Sequence, residues 1–123
     1  MDRKERVVVL GASDDPERYS HRAFELLARK GHEPVPVHPK LKEIEGVRVF
    51  NRIEDVEGEV DTVTVYVGPE RSASLVDSIV ALKPRRIIAN PGAESAAIRD
   101  ASERAGIQYV EACTLVLLAT GQF

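Results

Sequence analysis

Three short β-branched runs constrain the fold most: VVVL at 7–10, TVTVYV at 62–67 and RIIA at 86–89, separated by stretches with helical spacing. Runs this short and this apolar read as central strands buried on both faces. Weaker strand patterns are EPVPVH at 33–38, VRVF at 47–50 and IQYVEA at 107–112. Among the helical stretches, SHRAFELLARKG offers a face of Ala23, Phe24, Leu27 and Ala28, with Ser20 as a cap and Gly31 past its last turn. PERSASLVDSIVALK repeats Leu75, Val76, Ile79 and Val80 between Pro69 and Pro84, which predicts one helix. PGAESAAIRDASERAG sets Ala97, Ile98, Ala101 and Ala105 on a stripe before Gly106, and TLVLLAT is long enough only for a short helix. Strands alternating with helices imply right-handed crossovers and a mostly parallel sheet flanked by helices on both faces. The expected class is therefore α/β, a single Rossmann-like, doubly wound domain over 1–123. With 47–50 counted as the third of six strands, the expected order is 3-2-1-4-5-6.

The 123 residues, 43% of them hydrophobic, suffice for one domain with one core. No apolar run approaches the roughly 18 residues of a membrane span, and MDRKERVVVL lacks a signal peptide's cleavage site, so a soluble cytoplasmic protein without membrane contact is expected. Cys113 stands alone, which excludes an internal disulfide and a multi-cysteine zinc site. A net charge of -3, with no dense basic run or interleaved aromatic platform, argues against nucleic-acid binding. No Ser-His-Asp order, informative carboxylate pair or His-rich metal pattern stands out, so the chain reads as poor in catalysts.

In doubly wound sheets ligands collect outside the carboxyl ends of the strands. Those ends are GAS at 11–13, HPK at 38–40, VGP at 67–69, NPG at 90–92 and ACT at 112–114. The first turn keeps only Gly11 of a dinucleotide fingerprint, since Ser13 and Pro16 stand where further glycines belong. Backbone N–H groups of Ala12 and Ser13, the Ser13 hydroxyl and the following helix start could hold a phosphate. Asp14 and Asp15 oppose that use, and Arg18 could offset them. The second strand ends in His38-Pro39-Lys40, where an NAD site would place an acid; Lys40 favours a ligand with an extra phosphate on or near its ribose, as in NADP and coenzyme A. VGP and NPG put low Gly-Pro walls beside the cleft. Cys113 either faces the cleft or packs inward as a small apolar residue.

Taken together, VVVLGASDDPERYSHRAFELLARKGHEPVPVHPK, VTVYVGP, IIANPGAES and EACTLVLLATGQF resemble the small stand-alone coenzyme A-binding domain proteins. These are similar to the N-terminal coenzyme A-binding domain of the succinyl-CoA synthetase alpha subunit. The resemblance implies a Rossmann-like fold holding coenzyme A or an acyl-CoA at the strand ends. By position, Gly11, Ala12 and Ser13, with Arg18 beyond them, would hold the pyrophosphate, and Lys40 after His38 and Pro39 would approach the phosphorylated ribose or adenine. Val67, Gly68 and Pro69 with Asn90, Pro91 and Gly92 would flank the adenine and pantetheine, and Cys113 would lie near the cleft. Ligase activity does not carry over: the synthetase's phosphorylated histidine sits in a second domain, and His21, His32 and His38 match no such motif. The expectation is a coenzyme A-binding module without catalysis of its own. Its rivals are a small NADP-dependent Rossmann oxidoreductase, which the missing glycines disfavour, and a regulatory or interaction subunit that has lost its ligand, which Asp14 and Asp15 favour.

Overall fold

In chain order, the computed structural model, described over residues 3–123, runs β1 (Arg6–Leu10), α1 (Tyr19–Arg29), β2 (Glu33–Val37), β3 (Glu43–Ile44), β4 (Val47–Arg48), a 3-10 turn (Ile53–Asp55), β5 (Thr62–Val65), α2 (Pro69–Ser72), α3 (Val76–Ala81), β6 (Arg86–Ala89), α4 (Ala96–Ala105), β7 (Gln108–Glu111) and α5 (Thr114–Ala119). Five strands form one parallel sheet in the order β2-β1-β5-β6-β7. The three strongest apolar runs are its central strands. Successive side chains alternate between faces. Val8, Leu10, Val63, Val65 and Ile87 join Ile79 of α3 and Ile98 of α4 on one face, while Val7 and Val9 join Phe24 and Leu27 of α1 and Leu118 of α5 on the other. Past Val65, the Tyr66 N–H still donates to the Leu10 carbonyl at 2.8 Å before the chain bends at Val67.

The expected third strand is not a ladder strand. Val47 and Arg48 pair instead with Ile44 and Glu43, across a Glu45-Gly46 turn whose φ angles are both positive, 48° and 81°. Only Phe50 reaches the main sheet, in a single parallel bridge to Val37. The cause lies in β2. Its backbone groups at Glu33 and Val37 face β1, leaving the alternate positions, Pro34 and Pro36, to present their groups to the outer edge without an N–H. That edge retains the Pro36 carbonyl, which accepts from Phe50 N–H at 2.9 Å, and the His38 N–H, which donates back to the Phe50 carbonyl at 3.0 Å.

Three helix expectations are also corrected. Ser20 does not cap α1 but lies buried inside it; Arg18 precedes the helix with no side-chain cap, and Ala28 is exposed. The predicted helix after Pro69 splits into α2 and α3, because Leu75 N–H bonds to the Ser72 carbonyl three residues back at 2.8 Å while the Ser72 and Ser74 hydroxyls turn onto the Pro69 and Arg71 carbonyls. In α4 the buried stripe is Ile98, Ala101 and Ser102, with Ala97 and Ala105 exposed. Ser95 caps that helix through Ile98 N–H at 3.1 Å, and Gly106 ends it at φ 73°. No helix of the described residues is long and apolar enough to cross a membrane.

Candidate functional site

The carboxyl ends of β1, β2 and β5 open onto a cleft of about 860 Å³. Its floor depends on Gly11. At φ +90° the residue is strained for any side chain, and a Cβ there would sit 2.9 Å from Val67 Cγ1 and 3.3 Å from the Tyr66 carbonyl carbon. A bare backbone lets the β1 turn pass directly over the end of β5. The N–H groups of Gly11 and Ala12 both donate to the Val37 carbonyl, at 3.2 and 3.1 Å, so the turn is bound across the end of β2 and Ala12 N–H is not free for a phosphate. The N–H groups of Ser13 and Asp14 have no protein partner among the described residues. Asp15 is occupied in shaping the turn: its carboxylate accepts from Glu17 N–H at 3.0 Å and its carbonyl from Arg18 N–H at 3.0 Å, while its own N–H donates to Ser13 Oγ.

His21 supports this turn from below. It is 3% exposed, with Nδ1 2.7 Å from the Ser13 carbonyl and Nε2 2.7 Å from Glu45 Oε2 and 3.7 Å from Glu25. A carbonyl and a carboxylate can only accept, so this geometry favours a doubly protonated ring with both nitrogens donating. Burial pulls its pKa down, but the Ser13 carbonyl, Glu45 and Glu25 outweigh it and hold the value above 6.5. The ion pair ties the turn to the tip of the β3–β4 hairpin. The ligating atoms of His21, Glu25 and Glu45 lie within 4.8 Å of one another, a spacing that metal ligands also adopt, and the contact from His21 Nε2 to Glu45 closes the group.

Of the residues read from the sequence, Gly11, Ala12, Ser13, Arg18, His38, Pro39, Val67 and Pro91 line the cleft. Lys40 does not. His38 Nδ1 accepts the backbone N–H groups of both Lys40 and Leu41, at 3.0 and 3.2 Å, folding the segment into a tight turn in which Lys40 is exposed. Gly68 and Pro69 lie behind Val67, and Gly68 faces the Gly92 carbonyl, so the two Gly-Pro turns meet each other outside the lining. Asn90 is 2% exposed and fully engaged: its amide nitrogen donates to Thr64 Oγ1 at 2.7 Å and the Val65 carbonyl at 2.8 Å, and its oxygen accepts from Thr114 N–H at 2.8 Å. Cys113 is half-buried at the start of α5 and outside the cleft. Near Asn90 the buried Tyr66 hydroxyl has no hydrogen-bond partner among the described residues, and burial pushes its pKa up to about 12.

The cleft also gathers residues that strand-end reading missed: Tyr19, Asn51, Arg52, Glu54, Tyr66 and Arg71 among them. Tyr19 is 67% exposed at the rim. Arg18 and Arg71 form no ion pair among the described residues, and Arg52 has only Glu54, at 3.4 Å. Asn51 and Arg52 follow VRVF directly, so the end of that predicted strand was the available signal.

The CoA binding domain family matches residues 5–119. The chain belongs to that family. Its fold is shared with a crystal structure of an uncharacterized protein, 38% identical, covering 99% of this chain and 100% of that one at a TM-score of 0.92. It is similar to the uncharacterized protein YneT of Bacillus subtilis, 29% identical over 65% of this chain and 59% of that protein. It is also similar to the alpha subunit of acetate–CoA ligase [ADP-forming] II of Pyrococcus furiosus, 31% identical over 50% of this chain and 14% of the subunit. The chain thus spans less than two thirds of the length of the curated relatives it matches.

Proposed function

We propose that the cleft binds coenzyme A or an acyl-CoA and that the domain presents this ligand without a reaction of its own. The observation that carries the proposal is the cleft itself, at the carboxyl ends of three parallel strands in a member of the CoA binding domain family, with three arginines at its wall and two unpaired N–H groups at its floor. The ligase name of the P. furiosus relative supports the same ligand class. Ser13 and Asp14 N–H with Arg18 would hold the pyrophosphate, and Val67 and Pro91 would flank the pantetheine arm. Of the two acids that favour a subunit that has lost its ligand, Asp15 is engaged with Glu17 N–H, and Asp14 lines the cleft. Calorimetric titration with coenzyme A, NAD and NADP tests this, with coenzyme A expected to bind tightest. Equal or tighter binding of NAD would overturn it.

A further inference from the structure

The end of β2 is built from two separate stretches of chain. Val37, the last residue of β2, pairs with Phe50; the next residue, Asn51, donates its amide to the carbonyls of His38 and Leu41, each at 2.8 Å. Asn51 thereby staples the His38–Leu41 turn to the segment leaving the β3–β4 hairpin. Arg52 follows immediately and lines the cleft, whereas Lys40, nearer to β2 in sequence, does not. In doubly wound nucleotide sites the end of the second strand is where the ribose lies, and a guanidinium there accommodates a phosphate monoester on the sugar. Arginine suits this task because its planar fork engages two phosphate oxygens at once. Glu54 occupies the same guanidinium in the free protein, Oε2 to Nη2 at 3.4 Å, with 43% of its side chain and 67% of that of Arg52 exposed. An exposed pair of this kind is weak and easily displaced by a phosphate dianion.

We propose that Arg52, not Lys40, reads the phosphate monoester on the ligand's ribose, and that Glu54 is the internal acid which that phosphate displaces. The proposal rests on the coenzyme A reading of the cleft and deepens it. The segment from Phe50 to Glu54 acts as the specificity wall of the site, and the bond from Arg52 to Glu54 holds the fork at the cleft until a ligand arrives.

The test is calorimetric titration of coenzyme A and dephospho-coenzyme A into the wild type, Arg52→Ala, Arg52→Lys, Lys40→Ala and Glu54→Gln. All three positions are exposed, and thermal melts check that each variant folds. Wild type should prefer coenzyme A. Arg52→Ala should weaken coenzyme A by roughly 10- to 100-fold and dephospho-coenzyme A by about twofold or less, with Arg52→Lys in between. Lys40→Ala should keep the wild-type preference, and Glu54→Gln should tighten coenzyme A alone. Equal losses for both ligands in Arg52→Ala, or a preference that vanishes with Lys40 instead, overturns the inference while leaving the coenzyme A reading intact. Failure of the wild type to bind either ligand overturns both.

Discussion

Three arginines at the amino end of the parallel sheet and three at its carboxyl end differ in their partners. At the amino end the guanidiniums of Arg6, Arg85 and Arg86 have partners inside the chain. Arg6 bonds Glu33 at 3.0 Å and the Glu57 and Glu59 carbonyls, Arg86 reaches Glu5 at 3.3 Å and Thr62 Oγ1 at 3.0 Å, and Arg85 pairs with Asp61 at 3.5 Å. At the carboxyl end Arg18 and Arg71 have no such partner among the described residues, and Arg52 has one acid at 3.4 Å. Polar groups satisfied within the chain hold the fold together, whereas groups facing a cleft without protein partners are available to solvent or a ligand. The buried Asn90 network belongs to the first class although it lies at the carboxyl end. Satisfaction, rather than position along the strand, separates the two roles.

That division is most exposed to failure at Asn90. Asn90→Ala would leave Thr114 N–H without its acceptor, while Thr64 Oγ1 keeps Thr114 Oγ1 and the Val65 carbonyl keeps the backbone N–H of residue 90; it should cost about 2–4 kcal/mol in chemical denaturation, one stranded donor plus two lost bonds. A loss below about 1 kcal/mol would show that the network does not hold the strand ends. Glu5→Gln tests the opposite end. Its carboxylate, 12% exposed, accepts from Thr62 Oγ1 at 2.6 Å and from Arg86, so stability should fall by about 1.5–3 kcal/mol while coenzyme A affinity stays unchanged. A change in affinity would break the comparison.

Arg18→Ala should show the reverse: affinity for coenzyme A weaker by about 1.5–2 kcal/mol, and stability within roughly 0.5 kcal/mol of wild type. If stability falls and affinity does not, Arg18 belongs with the satisfied arginines. The smallest effect is expected at His21, where burial opposes the ion pair. Because its pKa is raised in the folded state, its contribution is fully present below pH 6.5 and is lost as pH rises through the higher folded value. The stability difference between wild type and His21→Gln should therefore shrink as pH increases above 6.5 in parallel denaturation series. A difference independent of pH would show that the ring is not an imidazolium.

Much of the fold was legible because its strongest signals were local. VVVL and RIIA match β1 and β6 closely, and Gly106 ends α4 as read from the sequence, while its Ser95 cap was not read there. The lost third strand was also written in the sequence, at Pro34 and Pro36, but its effect appears only once β1 is known to take the other edge of β2. The cleft was legible where it lies on the strand ends themselves: Gly11 to Ser13, His38, Pro39, Val67 and Pro91 all line it. It was not legible where a long-range contact redirects the chain. Lys40 is near β2 in sequence and turned aside by two hydrogen bonds to His38, while Arg52 is fourteen residues past His38 and brought beside it by Asn51. Asn90 sits at the right strand end, but its hydrogen-bonding groups point into the core.

The most direct test of this division is a coenzyme A titration of the isotopically labelled protein followed by amide NMR. Shifts should concentrate at Gly11–Asp14, Arg18, Asn51–Glu54 and Val67, and should spare the amides of Glu5, Arg6, Asp61, Arg85 and Arg86. Shifts centred on the amino-end group, or none at saturating coenzyme A, would contradict a ligand site at the carboxyl end.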